Sequence, residues 1–345
     1  MASARGSDKR FKVAVVGATG AVGAALLEIL AERKFPASSI VALASERSAG
    51  TSVDFGRRSL VVQDLDTYDF KGTDIALFSA GGSISAKYAP RAAAAGCYVV
   101  DNSSEFRYVD EIPLVVAEVN PEAIAKARVG RIIANPNCST MQMLVALAPI
   151  HREVGIARIN VATYQSVSGA GKLAMEELGR QTAAMLSFQT PKVERFPVQI
   201  AFNVIPQIDR FEDNGYTREE MKMVWETQKI LDPKIKVNPT AVRVPVFYGH
   251  AEAVHLETVA PITVERVRQL MRDAPGVELV DVAADGGYPT PVTHAAGNDP
   301  VYVGRLREDL SHSQGLSMWI VADNIRKGAA LNAIQIAELL VEHYL

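Results

Sequence analysis

An alternation running through roughly the first 137 residues narrows the fold more than any other feature. Short apolar runs rich in β-branched side chains recur, with helical stretches between several of them. "KVAVVG" (12–17) ends in glycine and leads into "AVGAALLEILAER", whose apolar residues fall at helical spacing. "SIVALAS" (39–45), "LVVQDL" (60–65), "DIALFSA" (74–80), "CYVVDNS" (97–103) and "RIIANPN" (131–137) repeat the strand signal. Strands this apolar are covered on both faces, which predicts an α/β fold built on a doubly wound parallel sheet. Ligands of such sheets collect beyond the carboxyl ends of the strands, so residues just after each strand are the candidates for chemistry.

The texture changes at Cys138. A helical run to about 152 is followed by a strand, "RINVATYQSV" (158–167), a helix, "GKLAMEELGRQTAAML", and a loop around 188–210. "TREEMKMVWETQKIL" (217–231) is strongly helical, and the alternating "TAVRVPVFYGHAEAVHLETV" (240–259) reads as one long strand. "LSMWIVADN" (316–324) is a late strand, and the chain closes on an amphipathic helix. At 345 residues two domains are expected. The boundaries read as 1–137 and 138–324, with 325–345 packing back on the first domain.

Composition excludes several classes. A net charge of −3 gives no basic surface for nucleic acid or acidic membranes. No apolar run reaches the roughly 18 residues of a membrane helix. The opening "MASARGSDKRFK" lacks the apolar core of a signal peptide. Two distant cysteines make no disulfide framework, and the cytoplasm is the expected compartment. No metal site is expected.

Gly17, Gly20 and Gly23 in "VVGATGAVG" stand between a strand and a helix, where amide N–H groups can face a pyrophosphate. Thr19 adds a hydroxyl, and Ala21 and Val22 complete the loop. A tight strand–helix turn needs glycine with or without a ligand, but the β–α units that follow favour a dinucleotide. At the end of the second strand, Ser45, Arg47 and Ser48 offer two hydroxyls and a guanidinium, which suit the 2′-phosphate of NADP(H). Glu46 has to point away, and a solvated polar turn would also use these residues.

Cys138 follows the last strand of the first domain and opens a helix, where the positive end of the helix dipole favours thiolate. A sulfur nucleophile beside a nicotinamide site points to thioester chemistry; the alternative is an inert cysteine at a helix cap. Cys97, within "AGCYVVDN", fits that inert role. His250 follows glycine in "RVPVFYGHAEAV", and Arg243 in the same segment is a natural clamp for a carboxylate.

"GATGAVG", "SERSAG", "DNSSEFR", "NPNCST", "QSVSGAGK", "EEMKMVWETQKI", "RVPVFYGHAEAV" and "DNIRKGAALNAIQIA" occur in that order along nearly the whole chain. Together they resemble the aspartate-β-semialdehyde dehydrogenase family, bacterial-type branch. The resemblance implies a Rossmann-type domain followed by an α/β (α+β) catalytic and dimerisation domain, glyceraldehyde-phosphate-dehydrogenase-like. It also implies reversible conversion of β-aspartyl phosphate and NADPH into aspartate semialdehyde, phosphate and NADP, by a homodimer or tetramer. By motif match Cys138 is the nucleophile, His250 the acid/base and Gln165 the orienting group. Arg243 binds the α-carboxylate, Glu219 the ammonium, Lys222 and Arg107 the phosphate, and Asn137 lines the substrate site. Ser168, Gly169 and Asn324 meet the nicotinamide end.

Without the resemblance, Glu219 and Lys222 read as an exposed helical ion pair. The short interval from Lys222 to Arg243 predicts a compact connection. Two rivals remain at this level: an N-acetyl-γ-glutamyl-phosphate reductase, whose substrate lacks a free ammonium, and a nucleotide-binding protein that has lost catalysis. Replacing Arg47 with Ala is expected to weaken NADP binding more than NAD binding in paired fluorescence titrations. Equal losses would move the 2′-phosphate site elsewhere.

Overall fold

The computed structural model describes residues 9–345, so most of the polar opening segment lies outside the described residues. The chain divides into two compact units. The first holds the chain up to Pro113, Ile124–Ala134 and Ala333–Leu345; the second holds Leu114–Ala123 and Asn135–Asn332.

In the first unit, β1 (Phe11–Val16), α1 (Ala21–Glu32) and β2 (Ala37–Ala44) form the opening β–α–β turn. A hairpin of β3 (Ser52–Phe55) and β4 (Arg58–Val61) follows, then β5 (Gln63–Asp64), β6 (Ile75–Phe78), α2 (Gly82–Ala94), β7 (Tyr98–Asp101), α3 (Ala127–Gly130) and β8 (Ile132–Ala134). The sheet runs β5-β2-β1-β6-β7-β8, every pair parallel. Every residue of β6 and β7 is buried, as in a strand covered on both faces. One side of this core is Val16, Leu43, Phe78 and Val99 against Tyr88, Ala89 and Ala92 of α2. Strand order reverses between β1 and β6, which sets the ligand crevice of such a sheet at their carboxyl ends.

The run 60–65, expected as one strand, is divided here. Arg58–Val61 pairs back on β3, and only Gln63–Asp64 joins the sheet edge beside β2. The hairpin wins because Val62 exchanges backbone bonds with Gly50 and Thr51 and so turns away from the ladder. Cys97 is fully buried with Sγ 3.0 Å from the Thr73 carbonyl, and burial pushes its thiol up to about 12. It is inert, as read.

The second unit starts with α4 (Cys138–Val154), then β9 (Ile156–Gln165), α5 (Lys172–Leu186), α6 (Arg218–Ile230), β10 (Lys236–Arg243) and β11 (His250–Thr258). It continues through α7 (Val264–Asp273), β12 (Val277–Leu279), β13 (Val301–Glu308), β14 (Gly315–Ala322) and a π-helical turn, Arg326–Leu331. The last helix, α8 (Asn332–His343), lies in the first unit from Ala333 onward. The sheet is mixed, in the order β10-β9-β11-β14-β13-β12, and α4 packs on it through β9, β11, β13 and β14.

The alternating stretch 240–259 is therefore two strands rather than one. β10 runs parallel to β9 on one side and β11 antiparallel on the other, so the chain must reverse between them. Pro245 has no N–H for a ladder and Gly249 takes φ +86°, which together make the reversal. The interval from Lys222 to Arg243 is compact, holding only the rest of α6, a short turn and β10. Among the described residues no helix is long and apolar enough to cross a membrane.

Candidate active site

The second unit gathers its chemistry at the start of α4. Pro136 cannot continue a backbone ladder, and Asn137 caps the helix: its Oδ1 accepts from the backbone N–H of Ser139 (3.0 Å) and Thr140 (3.2 Å). Cys138 is thus the first residue of a 17-residue helix, half-buried at the end where the dipole favours negative charge. Against it stands Gly328 of the π-helical turn, where a Cβ would lie 2.7 Å from Cys138 Cβ. No residue larger than glycine fits there without moving the thiol's backbone.

Asn137 also donates its amide to Glu219 Oε1 (2.8 Å), which accepts from Gln165 Nε2 as well (3.2 Å). Glu219 Oε2 meets Lys222 Nζ at 3.0 Å, and Asp209 Oδ2 meets the same ammonium at 3.0 Å. Glu219 is only 5% exposed, so this is no solvated surface pair. Burial pushes its carboxyl upward, but Lys222, the Asn137 amide and Arg243 outweigh that and hold it at about 2. Burial likewise works against the Lys222 ammonium, yet Glu219 and Asp209 raise its proton affinity.

Arg243 ends β10, buried, with Nη1 donating to the Ser166 carbonyl at 2.7 Å. Burial lowers its proton affinity, and the charges of Glu219 and Cys138 act the other way. His250 is fully buried. Burial first, then the Arg243 cation, takes its pKa down to about 3, so the ring is neutral. Its Nδ1 accepts from the Ser166 backbone N–H (3.1 Å), which assigns the ring proton to Nε2. Among the described residues Nε2 has no hydrogen-bond partner. Gly169 keeps space beside both groups: a Cβ there would lie 3.0 Å from Arg243 Nη1 and 3.3 Å from His250 Cε1. Asn324 Oδ1 accepts from Ser166 Oγ, Ser168 Oγ and the Gly249 N–H at 3.0 to 3.1 Å, which ties this corner together.

Cys138, Asn137, Gln165, Ser168, Gly169, Glu219, Lys222, Arg243, His250 and Asn324 all belong to the second unit. Arg107 lies in the first, after β7, buried, with Nη2 on the Asn102 carbonyl at 2.9 Å. Sequence reasoning missed Asp209 and Gly328. Asp209 sits in a loop without periodicity, and Gly328 looks like any glycine before a helix.

The glycine loop follows β1 at the switch between β1 and β6. Gly17 takes φ +85°, and a Cβ there would come within 2.9 Å of the Ser79 carbonyl carbon, just past β6. A Cβ on Gly23 would collide with the Gly17 carbonyl oxygen. Gly20 caps α1 with no side chain on the first-turn N–H groups. Thr19 is exposed and Ala21 and Val22 half-buried. Ser45, Arg47 and Ser48 form a turn directly beyond β2. This cradle fits a dinucleotide pyrophosphate.

A parallel sheet with a glycine cradle at its switch point, and a second unit holding a capped thiol and a buried, neutral histidine, define a nicotinamide-dependent oxidoreductase in two parts. The family models "Semialdehyde dehydrogenase, NAD binding domain" and "Semialdehyde dehydrogenase, dimerisation domain" match residues 12–127 and 147–327. The aspartate-semialdehyde dehydrogenase of Shewanella violacea is 58% identical over 98% of this chain and 99% of its own. The crystal structure of aspartate semialdehyde dehydrogenase II complexed with ASA from Vibrio cholerae is 59% identical, with a TM-score of 0.96 over 98% of this chain and 100% of that one. The structure of aspartate semialdehyde dehydrogenase with NADP from Candida albicans is 26% identical, with a TM-score of 0.75 over 96% and 99%. The chain belongs to the aspartate-semialdehyde dehydrogenase family.

Two predictions follow from the geometry. Gly328→Ala is expected to cost about 1–3 kcal/mol of stability in urea melts and to slow iodoacetamide labelling of Cys138, because the added methyl overpacks the thiol's backbone. Unchanged labelling would separate Gly328 from the thiol. His250 makes stability acid-sensitive: the unfolded ring takes up a proton near 6.5 and the folded one only near 3. Stability is therefore full above about 6.5 and is lost as pH falls through that window. His250→Asn is expected to remove about 2 kcal/mol of the loss between pH 7 and 5 in urea melts.

Proposed function

We propose that this protein catalyses the reversible, NADPH-dependent reductive dephosphorylation of β-aspartyl phosphate to aspartate semialdehyde through a thioester on Cys138. The observation that carries the reading is the charge arrangement around the thiol. A substrate with a carboxylate, an ammonium and a phosphate needs an anion and two or three cations, and Glu219 is a buried carboxylate held ionised beside Lys222. Arg243 supplies a second buried cation. A substrate with an acylated nitrogen would leave Glu219 without the ammonium it is built to meet.

In the biosynthetic direction the Cys138 thiolate attacks the acyl carbon. The bond to the phosphate oxygen breaks and phosphate leaves with the electron pair, steadied by Lys222 and Arg107. The cofactor, when bound, supplies a hydride for the thioester carbon. His250, with its proton on Nε2, is the donor for the developing oxyanion. Breaking the C–S bond then returns the electron pair to sulfur and frees the aldehyde. Gln165 and Asn137 orient the substrate, and Arg243 clamps its α-carboxylate bidentately.

The glycine cradle, with Gly17, Gly20 and Gly23, would hold the pyrophosphate, and Ser45, Arg47 and Ser48 the 2′-phosphate of NADP(H). Ser168, Gly169 and Asn324 would line the nicotinamide end. The protein acts as a homodimer, or a pair of dimers, in the cytoplasm.

Phosphate-dependent NADP reduction, compared on aspartate semialdehyde and N-acetylglutamate semialdehyde, tests the assignment. Turnover of the first alone is expected; turnover of only the second would sink it. Cys138→Ser is expected to lower kcat by at least about a thousandfold while sparing NADP binding, since a hydroxyl is a far weaker nucleophile than a thiolate. Mass spectrometry of the quenched wild type should show the acyl adduct on the Cys138 peptide.

A further inference from the structure

The N–H of Asn137 raises an accounting question. It is the backbone donor immediately before the nucleophile, it is buried, and Pro136 beside it has no N–H to share in any ladder. In a capping box the N–H of the cap residue is satisfied by a Glu or Gln at the third helical position. Helix α6 does this for itself: Thr217 caps it, and Glu220 reaches back to the Thr217 N–H at 2.6 Å. Helix α4 cannot, because its third residue is Thr140, whose side chain is too short to return to the cap. The partner comes from another helix. Glu226 of α6, fully buried, accepts the Asn137 N–H at 2.6 Å through Oε2.

We propose that Glu226 is a positioning residue for the Cys138 thiol, completing from α6 the capping box that α4 lacks. The same helix thereby holds Asn137 twice. Glu219 takes its side-chain amide, and Glu226, two turns later on the same face, takes its backbone. With both grips in place, Asn137 Oδ1 stays aimed at the Ser139 and Thr140 N–H groups, and the first turn of α4 stays fixed under the sulfur. With only the Glu219 grip, the cap can swing about its side chain and carry Cys138 with it. The inference rests on the proposed reaction for its kinetic arm only; its labelling arm needs nothing but the thiol.

The test compares Glu226→Gln with Glu226→Met in the full-length protein. Gln keeps an oxygen acceptor at the same reach, whereas Met keeps the volume and removes the acceptor. Four quantities are read: the iodoacetamide labelling rate of Cys138, kcat and KM for aspartate semialdehyde, and the melting midpoint. The expected result is that Met lowers both labelling and kcat by about 10- to 100-fold, as for a reacting group displaced by about an ångström, while KM stays within about threefold. Gln should restore most of both. A purely structural role would lower the melting midpoint of the Met variant and leave labelling and kcat per folded molecule at the wild-type level, which would overturn the proposal. So would a Gln variant as impaired as Met. If wild type fails to oxidise aspartate semialdehyde but the labelling pattern holds, the proposed reaction falls and the positioning role stands.

Discussion

The site depends on how Asn137 is held. Its side chain closes the first turn of α4 by accepting two backbone N–H bonds, and the same amide reaches Glu219. A cap is worth about 1 kcal/mol to a helix. That is small against the stability of a domain, yet here it decides where the Cys138 thiol sits. Cys138 has no strand or disulfide to locate it. Its place is set by the cap before it and by Gly328, packed against its Cβ. A misplacement of about 1 Å can slow a covalent step about a hundredfold, so a cap and a close packing contact at this joint bear directly on rate.

Around that joint the protein keeps charges where water cannot stabilise them. Burial opposes the charged forms of Glu219, Lys222 and Arg243 alike; Glu219 favours both cations, and both cations favour its carboxylate. Replacing such a cluster with apolar side chains would more often raise stability than lower it. Stability therefore gives no reason for these residues to be here; recognition of the substrate proposed above, with its ammonium and two anionic groups, would. Asp209 belongs to the same balance. It offsets part of the Lys222 charge.

How much of this was legible follows from which forces are local. Strand and helix identity in the first unit could be read because burial on both faces leaves an apolar run, and the Gly17–Gly23 spacing marks a turn that only glycine fits. The motif resemblance also put Cys138, Gln165, Arg243 and His250 on the page as a set. What stayed hidden depends on partners far away in the chain. The split of 240–259 is imposed by β9 lying between β10 and β11. The burial of Glu219 is imposed by Asn137 and Gln165, which are distant in sequence. Glu226 sits in a helix whose pattern would accept a glutamate on any solvated face, and nothing local shows that its carboxylate meets Asn137.

His250 shows most sharply how a neighbour's backbone decides a role. With Nδ1 accepting from the Ser166 N–H, the neutral ring carries its proton on Nε2 and is a donor in the resting state. Burial and the nearby Arg243 cation oppose a second ring proton. The α4 dipole and Arg243, whose charge acts on the sulfur, both favour negative charge at Cys138. In the reaction proposed above the labour divides physically: helix and arginine favour the thiolate, while histidine answers the oxyanion. A glycine at 169 lets the two share one corner, since a side chain there would press against both the Arg243 guanidinium and the His250 ring.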